Sequence, residues 1–236
     1  MTEDKVDDNM SLGKEAVGRK AADYVEDGMV VGFGTGSTAY YFIDEVGKRI
    51  QAGELNHVVG VATSRRTLTQ MKSLGIPSRS LDDVNFIDLL VDGADETTQD
   101  FNGIKGGGGA LLYEKIVAQN SRRIIWIVTE DKLVDALGKF PLPIEIVQFG
   151  SWKLFRTFDQ AGMNPTFRKS GEDTLFITDS GNYIIDLHLD EIQNPHQLAF
   201  ELSNMVGVVE HGLFLNYPDT ILSSDAEGNV QEIKRN

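Results

Sequence analysis

The sequence predicts an α/β fold in which a parallel sheet has helices on both faces, together with a smaller α+β domain. Over residues 1–138 of the 236, short apolar runs of β type alternate with longer segments of helical periodicity. After Gly138 the predicted order changes to strand, helix, two strands and helix. The stretch 208–236 again has β-like runs. We therefore expect 1–138 and about 208–236 to form the first domain, and about 139–207 to form the second.

The first domain is predicted from its periodicity. Helices are expected over 11–27, 38–50, 65–74 and 110–119, and strands over 29–33, 57–62, 86–91 and 123–128. Ser64 is the expected N-cap of the third helix. Strands and helices that alternate at this spacing indicate a parallel sheet. In such sheets ligands bind beyond the carboxyl ends of the strands.

The second domain is predicted from a different pattern. Two prolines in the segment 140–143 are expected to break regular structure. Strands are then expected over 144–147, 174–178 and 183–187, helices over 151–161 and 197–205, and β-like tail segments over 213–215 and 220–222. Residues 179–182 have the composition of a hairpin turn. We expect Trp126 and Trp152 to belong to the core.

The charge of the chain excludes two classes of partner. The formal net charge is −14, from 36 acidic and 22 basic side chains. A field of that sign repels phosphate backbones and anionic lipid, so we expect no nucleic-acid and no membrane binding. The absence of cysteine excludes disulfides, thiolate metal sites and a Cys nucleophile. The acidic N-terminal segment does not resemble a signal peptide, which favours the cytoplasm.

A glycine-rich turn follows the first predicted strand. It runs from Gly32 to Thr38 and includes Thr35, Gly36 and Ser37. A helix that begins there offers unpaired amide groups to a phosphate. The segment lacks the lysine of a Walker A loop, and it is a poor match to the dinucleotide fingerprint. A purely structural tight turn is the alternative interpretation.

Acidic residues follow the third strand, and basic residues appear in two further segments. Asp92-Gly93-Ala94-Asp95-Glu96 could supply acid/base groups, hydroxyl-binding groups or metal ligands, or form a solvated turn. Lys105 precedes four glycines and a helix that carries Glu114, and Lys132 follows the fourth strand. We expect these segments to converge with the first glycine-rich turn on one rim of the sheet. Together they fit acid/base chemistry on a small phosphorylated substrate.

Four segments carry a close resemblance to the type A ribose-5-phosphate isomerase family. They are Gly34-Thr35-Gly36-Ser37-Thr38, Val91-Asp92-Gly93-Ala94-Asp95-Glu96, Lys105-Gly106-Gly107-Gly108 with Glu114-Lys115, and Leu137-Gly138-Lys139-Phe140-Pro141-Leu142-Pro143. The resemblance extends from about Lys14 to the C-terminal region. It implies a Rossmann-like domain and a ferredoxin-like α+β domain. It also implies interconversion of ribose 5-phosphate and ribulose 5-phosphate in the non-oxidative pentose phosphate pathway, by a homodimer or homotetramer without metal or organic cofactor.

The resemblance also implies roles for individual residues. Glu114 would be the base that moves the proton between C2 and C1, while Asp92, Asp95 and Lys105 would line the sugar, assist ring opening and stabilise the enediolate. The expected substrate-binding residues are Lys14, Thr35, Gly36, Ser37, Thr38, Asp92, Gly93, Ala94, Asp95, Lys105, Gly106, Gly107, Gly108 and Lys132. Gly109 stands where alanine is common in the family, a change expected to loosen the loop.

Two other classes of function remain as alternatives. A non-catalytic sensor domain would bind a sugar phosphate without converting it, but such a regulator is expected to carry a basic DNA-binding module. A nicotinamide-dependent oxidoreductase is disfavoured because the dinucleotide fingerprint is missing.

Overall fold

The computed structural model describes residues 3–235. The helices are α1 (Glu3–Ala22), α2 (Ser37–Gln51), α3 (Arg65–Ser73), α4 (Leu111–Gln119), α5 (Ser151–Gln160) and α6 (Pro195–Ser203). The strands are β1 (Val30–Phe33), β2 (Val59–Ala62), β3 (Leu89–Asp92), β4 (Glu96–Thr97), β5 (Asn102–Ile104), β6 (Ile124–Thr129), β7 (Leu142–Ile146), β8 (Pro165–Phe167), β9 (Tyr183–Leu187), β10 (Val208–His211), β11 (Leu213–Leu215), β12 (Thr220–Ser224) and β13 (Val230–Lys234). No helix within residues 3–235 has the length and hydropathy needed to cross a bilayer.

The chain divides into two compact units. The first contains the described residues up to Ala94, then Tyr113–Leu133, and the residues from Tyr217 onward. Its sheet has the order β13-β12-β6-β3-β1-β2, and only the β12–β13 pair is antiparallel. The predicted fold class, a parallel sheet flanked by helices with a smaller antiparallel α+β unit, is confirmed. Only the end of the tail, from Tyr217 onward, belongs to the first unit, where β12 pairs with β6.

The order of the strands creates a switch point in this sheet. The chain passes from β1 to β2 on one side, and then to β3 on the other side of β1. Connections that leave two neighbouring strands in opposite directions open a crevice at their carboxyl ends. The sheet therefore prepares a ligand-binding position at the ends of β1 and β3.

The central strands β3 and β6 of the first unit are buried on both faces. All four residues of β3 and all six of β6 are buried, as expected for a parallel sheet covered on each side. Trp126 in β6 is almost completely buried, so the prediction that it belongs to the core is confirmed. The side chains of Phe33 and Phe42 pack 5.4 Å apart between ring centroids and join β1 to α2.

The second unit is built on antiparallel pairing. It contains Asp95–Leu112 and Val134–Asn216, with a four-stranded sheet of order β10-β7-β9-β8 and a three-stranded sheet of order β11-β5-β4. Its core includes Ile144, Phe158 and Ile185. Relative to the predicted domain boundaries, 95–112 and 208–216 lie in this unit. The reason is that β5 pairs with β11, which follows β10.

Three predictions for the second unit are wrong. Pro143 lies inside β7, where it pairs with Asp186 on one side, while β10 on the other side pairs only from Ile144 onward. A residue without an N–H group is tolerated where no ladder partner needs it. The segment 174–178 forms a single bridge, Lys169 to Leu175, and no strand. Trp152 is 61% exposed and packs against the rings of Phe155 and Phe167.

Glu96 is a buried structural residue of the second unit. Its two carboxylate oxygens accept hydrogen bonds from the backbone amides of Gly138, at 2.8 Å, and Phe140, at 2.6 Å. The carboxylate is 4% exposed. It therefore fixes the segment that leads into β7, and its charge is satisfied by two amide donors.

Gly109 ends the turn that precedes α4. Its amide donates to the carbonyl of Gly106 at 2.9 Å, and its φ angle is +77°. A Cβ atom there would lie 2.5 Å from Cε1 of Phe176. The ring of Phe176 occupies the space that a side chain at this position would need, which gives a packing reason for glycine here, and the expectation that glycine loosens the loop stays a prediction.

We expect Glu96→Gln to lower the free energy of unfolding by about 2–3 kcal/mol, because the amide group can accept from only one of the two backbone N–H groups. Chemical denaturation measures the loss. Glu172→Gln is the control, since Glu172 is exposed and belongs to the same unit. Equal stability of the two variants would show that Glu96 is not a structural anchor.

We expect Gly109→Ala to lower the thermal unfolding midpoint more than Gly181→Ala does. Both glycines have a positive φ angle, but a Cβ at Gly181 meets open space. The backbone strain is thus matched, and the difference isolates the clash with Phe176. The same shift in both variants would contradict this explanation.

Candidate active site

The glycine-rich turn after β1 is shaped by Asp92. A Cβ on Gly34 would lie 2.6 Å from the Cα atom of Asp92, so only glycine allows the two strand ends to approach this closely. The amide of Gly34 donates to the carbonyl of Val91 at 2.9 Å. This residue therefore joins the end of β1 to the end of β3.

Asp92 connects the two loops at the switch point. Its Oδ1 atom accepts hydrogen bonds from the amide of Thr35, at 3.0 Å, and from the amide of Gly93, at 2.8 Å. The side chain is completely buried, whereas Gly93 and Ala94 are half-buried. The first glycine-rich turn and the part of the acidic segment up to Ala94 are thus brought together within the first unit.

The hydroxyl of Thr35 takes part in a cluster that the sequence did not predict. Its Oγ1 atom lies 2.8 Å from the hydroxyl oxygens of Thr63 and Ser64, and 3.1 Å from that of Thr67. Thr67 donates to the carbonyl of Gly34 at 2.8 Å. This hydroxyl cluster ties the turn after β1 to the end of β2 and the start of α3.

Ser64 has the predicted capping role, since its Oγ accepts from the amide of Thr67 at 3.1 Å. The start of α2 is different. Gly36 precedes it with a φ of +132° and supplies no side-chain cap. Ser37 is exposed and Thr38 is half-buried. The first amides of a helix have no partner within the helix, so this end of α2 can bind an anion.

Lys132 and Lys14 belong to the same unit. Lys132 ends a short 3₁₀ segment after β6, and its Nζ lies 3.2 Å from Oδ2 of Asp131. Burial disfavours the charge of Asp131, but a hydrogen bond from Thr129 and the ammonium of Lys132 outweigh it and lower the pKa of Asp131. Lys14 is half-buried in α1. The preceding Gly13 contacts the ends of β6 and β12.

Glu114 lies in the first turn of α4 and is 3% exposed. A carboxylate near a helix N-terminus is stabilised by the helix dipole. Lys115, the next residue, is also buried. The prediction of a helix directly after the second glycine-rich segment is confirmed, and it gives Glu114 a rigid support.

Asp95 holds the second glycine-rich loop, Lys105–Gly109, within the second unit. Its amide donates to the carbonyl of Ile104 at 2.8 Å, and its Oδ2 accepts from the amide of Gly107 at 2.7 Å. The amide of Gly107 is thus already used to position Asp95. Gly108 is exposed, and Gly106 has a φ of +103°.

Lys105 is 3% exposed at the end of β5. Its amide donates to the carbonyl of Gly212 at 2.9 Å, and its Nζ lies 5.5 Å from the ring centroid of Phe214. The expectation that this loop follows a strand of the parallel sheet is wrong. It follows a strand of the three-stranded antiparallel sheet, which is too short to show periodicity in the sequence.

Arg168, like the hydroxyl cluster around Thr35, was not predicted from the sequence. Its Nη1 atom donates to the carbonyl of Gly106 at 2.6 Å and to that of Gly107 at 3.1 Å. The same guanidinium forms an ion pair with Asp186 in β9. Arg168 therefore clamps the glycine-rich loop through its carbonyl groups. No local motif marks this arginine, because its partners are about 60 residues away in the sequence.

Within the part of the chain that the structure describes, no three His, Asp or Glu side chains are grouped so that they could hold a metal ion. The candidate residues described above supply carboxylates, lysines, amide donors and hydroxyls. These groups are suited to proton transfer and to the binding of an anionic ligand.

A family model described as ribose 5-phosphate isomerase A (phosphoriboisomerase A) matches residues 59–228. The chain is 53% identical to ribose-5-phosphate isomerase A of Limosilactobacillus reuteri strain DSM 20016, over 91% of this chain and 94% of that protein. It is 55% identical to the protein of the same name from Streptococcus agalactiae serotype III, over 91% of this chain and 96% of that protein.

Solved structures agree with these relatives. Ribose 5-phosphate isomerase from Plasmodium falciparum has a TM-score of 0.91 and 36% identity, over 96% of this chain and 99% of that chain. A D-ribose-5-phosphate isomerase in complex with phospho-erythronic acid has a TM-score of 0.90 and 37% identity, over 94% and 97%. This chain therefore belongs to the ribose-5-phosphate isomerase A family.

Proposed function

We propose that this protein interconverts D-ribose 5-phosphate and D-ribulose 5-phosphate. The observation that carries the proposal is the buried Glu114, held in the first turn of α4 directly after a lysine- and glycine-rich loop, in a chain of this family. The reaction is an aldose–ketose isomerisation, which needs a base that removes one carbon-bound proton and returns it to the neighbouring carbon.

Glu114 serves as that base. In the forward direction its carboxylate takes the proton from C2 of the open-chain aldose, which leaves an enediolate over C1 and C2. It then returns the proton to C1, while the proton on the C2 oxygen moves to the C1 oxygen, and the ketose is complete. A carboxylate within hydrogen-bond reach of the carbon acid supplies roughly 10²–10⁴-fold in rate.

Lys105 is the proposed partner of the developing negative charge. A fixed donor at such an oxyanion contributes on the order of 3–4 kcal/mol. The amides of Gly106 and Gly108 are further candidate donors, whereas the amide of Gly107 positions Asp95. Asp92 and Asp95 contact the sugar hydroxyls and assist ring opening in this proposal. The burial of Asp92 and Lys105 supports it, because buried charges interact strongly with a bound substrate.

The phosphate group binds to the amides and hydroxyls of 35–38 and to Lys132 in this proposal, with Lys14 as a further contact. The uncapped start of α2 supports it, since its amide donors are available to an anion. When substrate binds, the ammonium group of Lys132 would leave the carboxylate of Asp131 and contact the phosphate. The similar structure in complex with phospho-erythronic acid also supports a sugar-phosphate ligand, since that molecule joins a phosphate to a short polyol chain.

We also propose a homodimer or homotetramer that acts in the cytoplasm, as the family resemblance implies. The exposed rings of Phe149 and Trp152 in the second unit supply apolar surface that such an assembly would bury.

Turnover of ribose 5-phosphate tests the function directly. We expect ketose to form without added metal or organic cofactor, and the rate to persist in the presence of EDTA. Binding without turnover would instead indicate a non-catalytic sugar-phosphate sensor. Loss of the rate on chelation would contradict the cofactor-free mechanism.

We expect Glu114→Gln to lower kcat by about 10²–10⁴-fold, because glutamine cannot accept the C2 proton. Substrate binding, measured by calorimetry, should change little. Glu54→Gln is the matched control, since Glu54 is an exposed residue of the same unit. Near-normal turnover in Glu114→Gln would exclude this residue as the base.

A further inference from the structure

A cavity of about 580 Å³ lies within the first unit, beside β2 and α3. Its floor is apolar and includes Val61, Leu68 and Val117, and its rim carries Arg65, Lys72 and Arg79 together with one carboxylate, Asp82. The volume is within the range of small-molecule sites. None of these residues belongs to the proposed substrate site.

The sequence around this cavity differs in charge from the rest of the chain. Residues 55–81 form the longest stretch without Asp or Glu, and they contain Arg65, Arg66, Lys72 and Arg79. The complete chain carries a net charge of −14. Three of these cations, Arg65, Lys72 and Arg79, line the cavity beside the single carboxylate of Asp82, and this local excess of positive charge favours an anion there.

Lys72 and Arg79 are exposed on this rim. Elsewhere in the same unit, Lys48 forms an ion pair with Asp44, and Arg49 pairs with carboxylates. Among the residues that the structure describes, no carboxylate forms an ion pair with Lys72 or Arg79. Their charges are therefore available to a ligand.

The backbone that carries Arg79 is fixed to the sheet. The amide of Gly60 donates to the carbonyl of Pro77 at 2.8 Å, and the amide of Arg79 donates to the carbonyl of Gly60 at 3.0 Å. The segment 77–79 thus extends the sheet beyond β2. A cationic side chain on a fixed backbone is better suited to a specific site than one on a mobile loop.

The opposite wall of the cavity is formed by α4. Tyr113 presents a phenol, and Ile116 is 39% exposed, so it offers apolar surface to the cavity. The apolar wall and floor would bind a polyhydroxylated sugar poorly, because they offer its hydroxyl groups few hydrogen-bond partners. They suit an aromatic or aliphatic group that bears an anion.

We infer that this cavity binds a small organic phosphate with an aromatic or apolar body, at a site separate from that of ribose 5-phosphate. Lys72 and Arg79 hold the phosphate, and the apolar floor with Ile116 contacts the body.

Phenyl phosphate is the probe for this inference, with inorganic phosphate and phenol as its two halves, each titrated by calorimetry. We expect phenyl phosphate to bind at least about tenfold more tightly than inorganic phosphate, because only the ester buries apolar surface. Phenol should bind more weakly still, since it lacks the charge. Ribose 5-phosphate at a concentration that saturates turnover should not displace phenyl phosphate.

Lys72→Gln and Arg79→Gln should each weaken the binding of phenyl phosphate by about tenfold or more, as expected for the loss of a charge-assisted contact. Arg66→Gln is the matched control. It removes one positive charge from α3, the helix that carries Lys72, and Arg66 does not line this cavity. Its affinity should stay within twofold of the unsubstituted protein. Unchanged thermal unfolding midpoints establish that all three variants are folded.

Three results would overturn the inference. The first is that phenyl phosphate does not bind at concentrations up to about 10-fold above that at which inorganic phosphate binds. The second is that Lys72→Gln and Arg79→Gln both retain the affinity for phenyl phosphate. The third is that ribose 5-phosphate displaces phenyl phosphate. The last result would place the probe in the substrate site. None of them bears on turnover by Glu114, so the proposed isomerase function is tested independently.

Discussion

The carboxylate of Asp92 is the contact on which the site of the first unit depends. Asp92 lies at the switch point of the sheet, where β1 and β3 end. Its Oδ1 atom accepts one amide hydrogen bond from each of the two loops that begin there. A buried carboxylate requires such donors, because an uncompensated charge in the interior is strongly unfavourable. Gly34 is required in turn, since a side chain would displace Asp92. The same contact therefore satisfies the charge of Asp92, requires glycine at position 34 and fixes the positions of both loops.

The second unit reaches a comparable result by different means. Its glycine-rich loop has little intrinsic preference for one conformation, because glycine loses more backbone freedom than any other residue on folding. Asp95 fixes one amide of the loop, Arg168 fixes two carbonyls, and Phe176 fills the space beside Gly109. The loop is ordered by residues from three other segments. Flexible sequence and fixed structure are compatible because the constraints come from outside the loop.

Local patterns in the sequence were sufficient for the elements that are long enough to show periodicity. The helices α2 to α4 and the strands β1, β2, β3 and β6 were predicted to within a few residues, as was the capping by Ser64. The strands β4 and β5 have two and three residues, too few for a pattern. The cluster around Thr35, the clamp by Arg168 and the anchor at Glu96 are contacts between distant segments. Composition and spacing carry no signal for such pairs.

The three acids of the segment 92–96 perform separate physical tasks. Asp92 joins two strand ends, Asp95 orders a loop, and Glu96 anchors the segment that leads into β7. All three contacts belong to the folded architecture, so they would be needed even in a protein without a carboxylate at position 114. In the proposed mechanism, a chain that retains the whole acidic segment but has another residue in place of Glu114 would therefore keep this architecture without the isomerase chemistry.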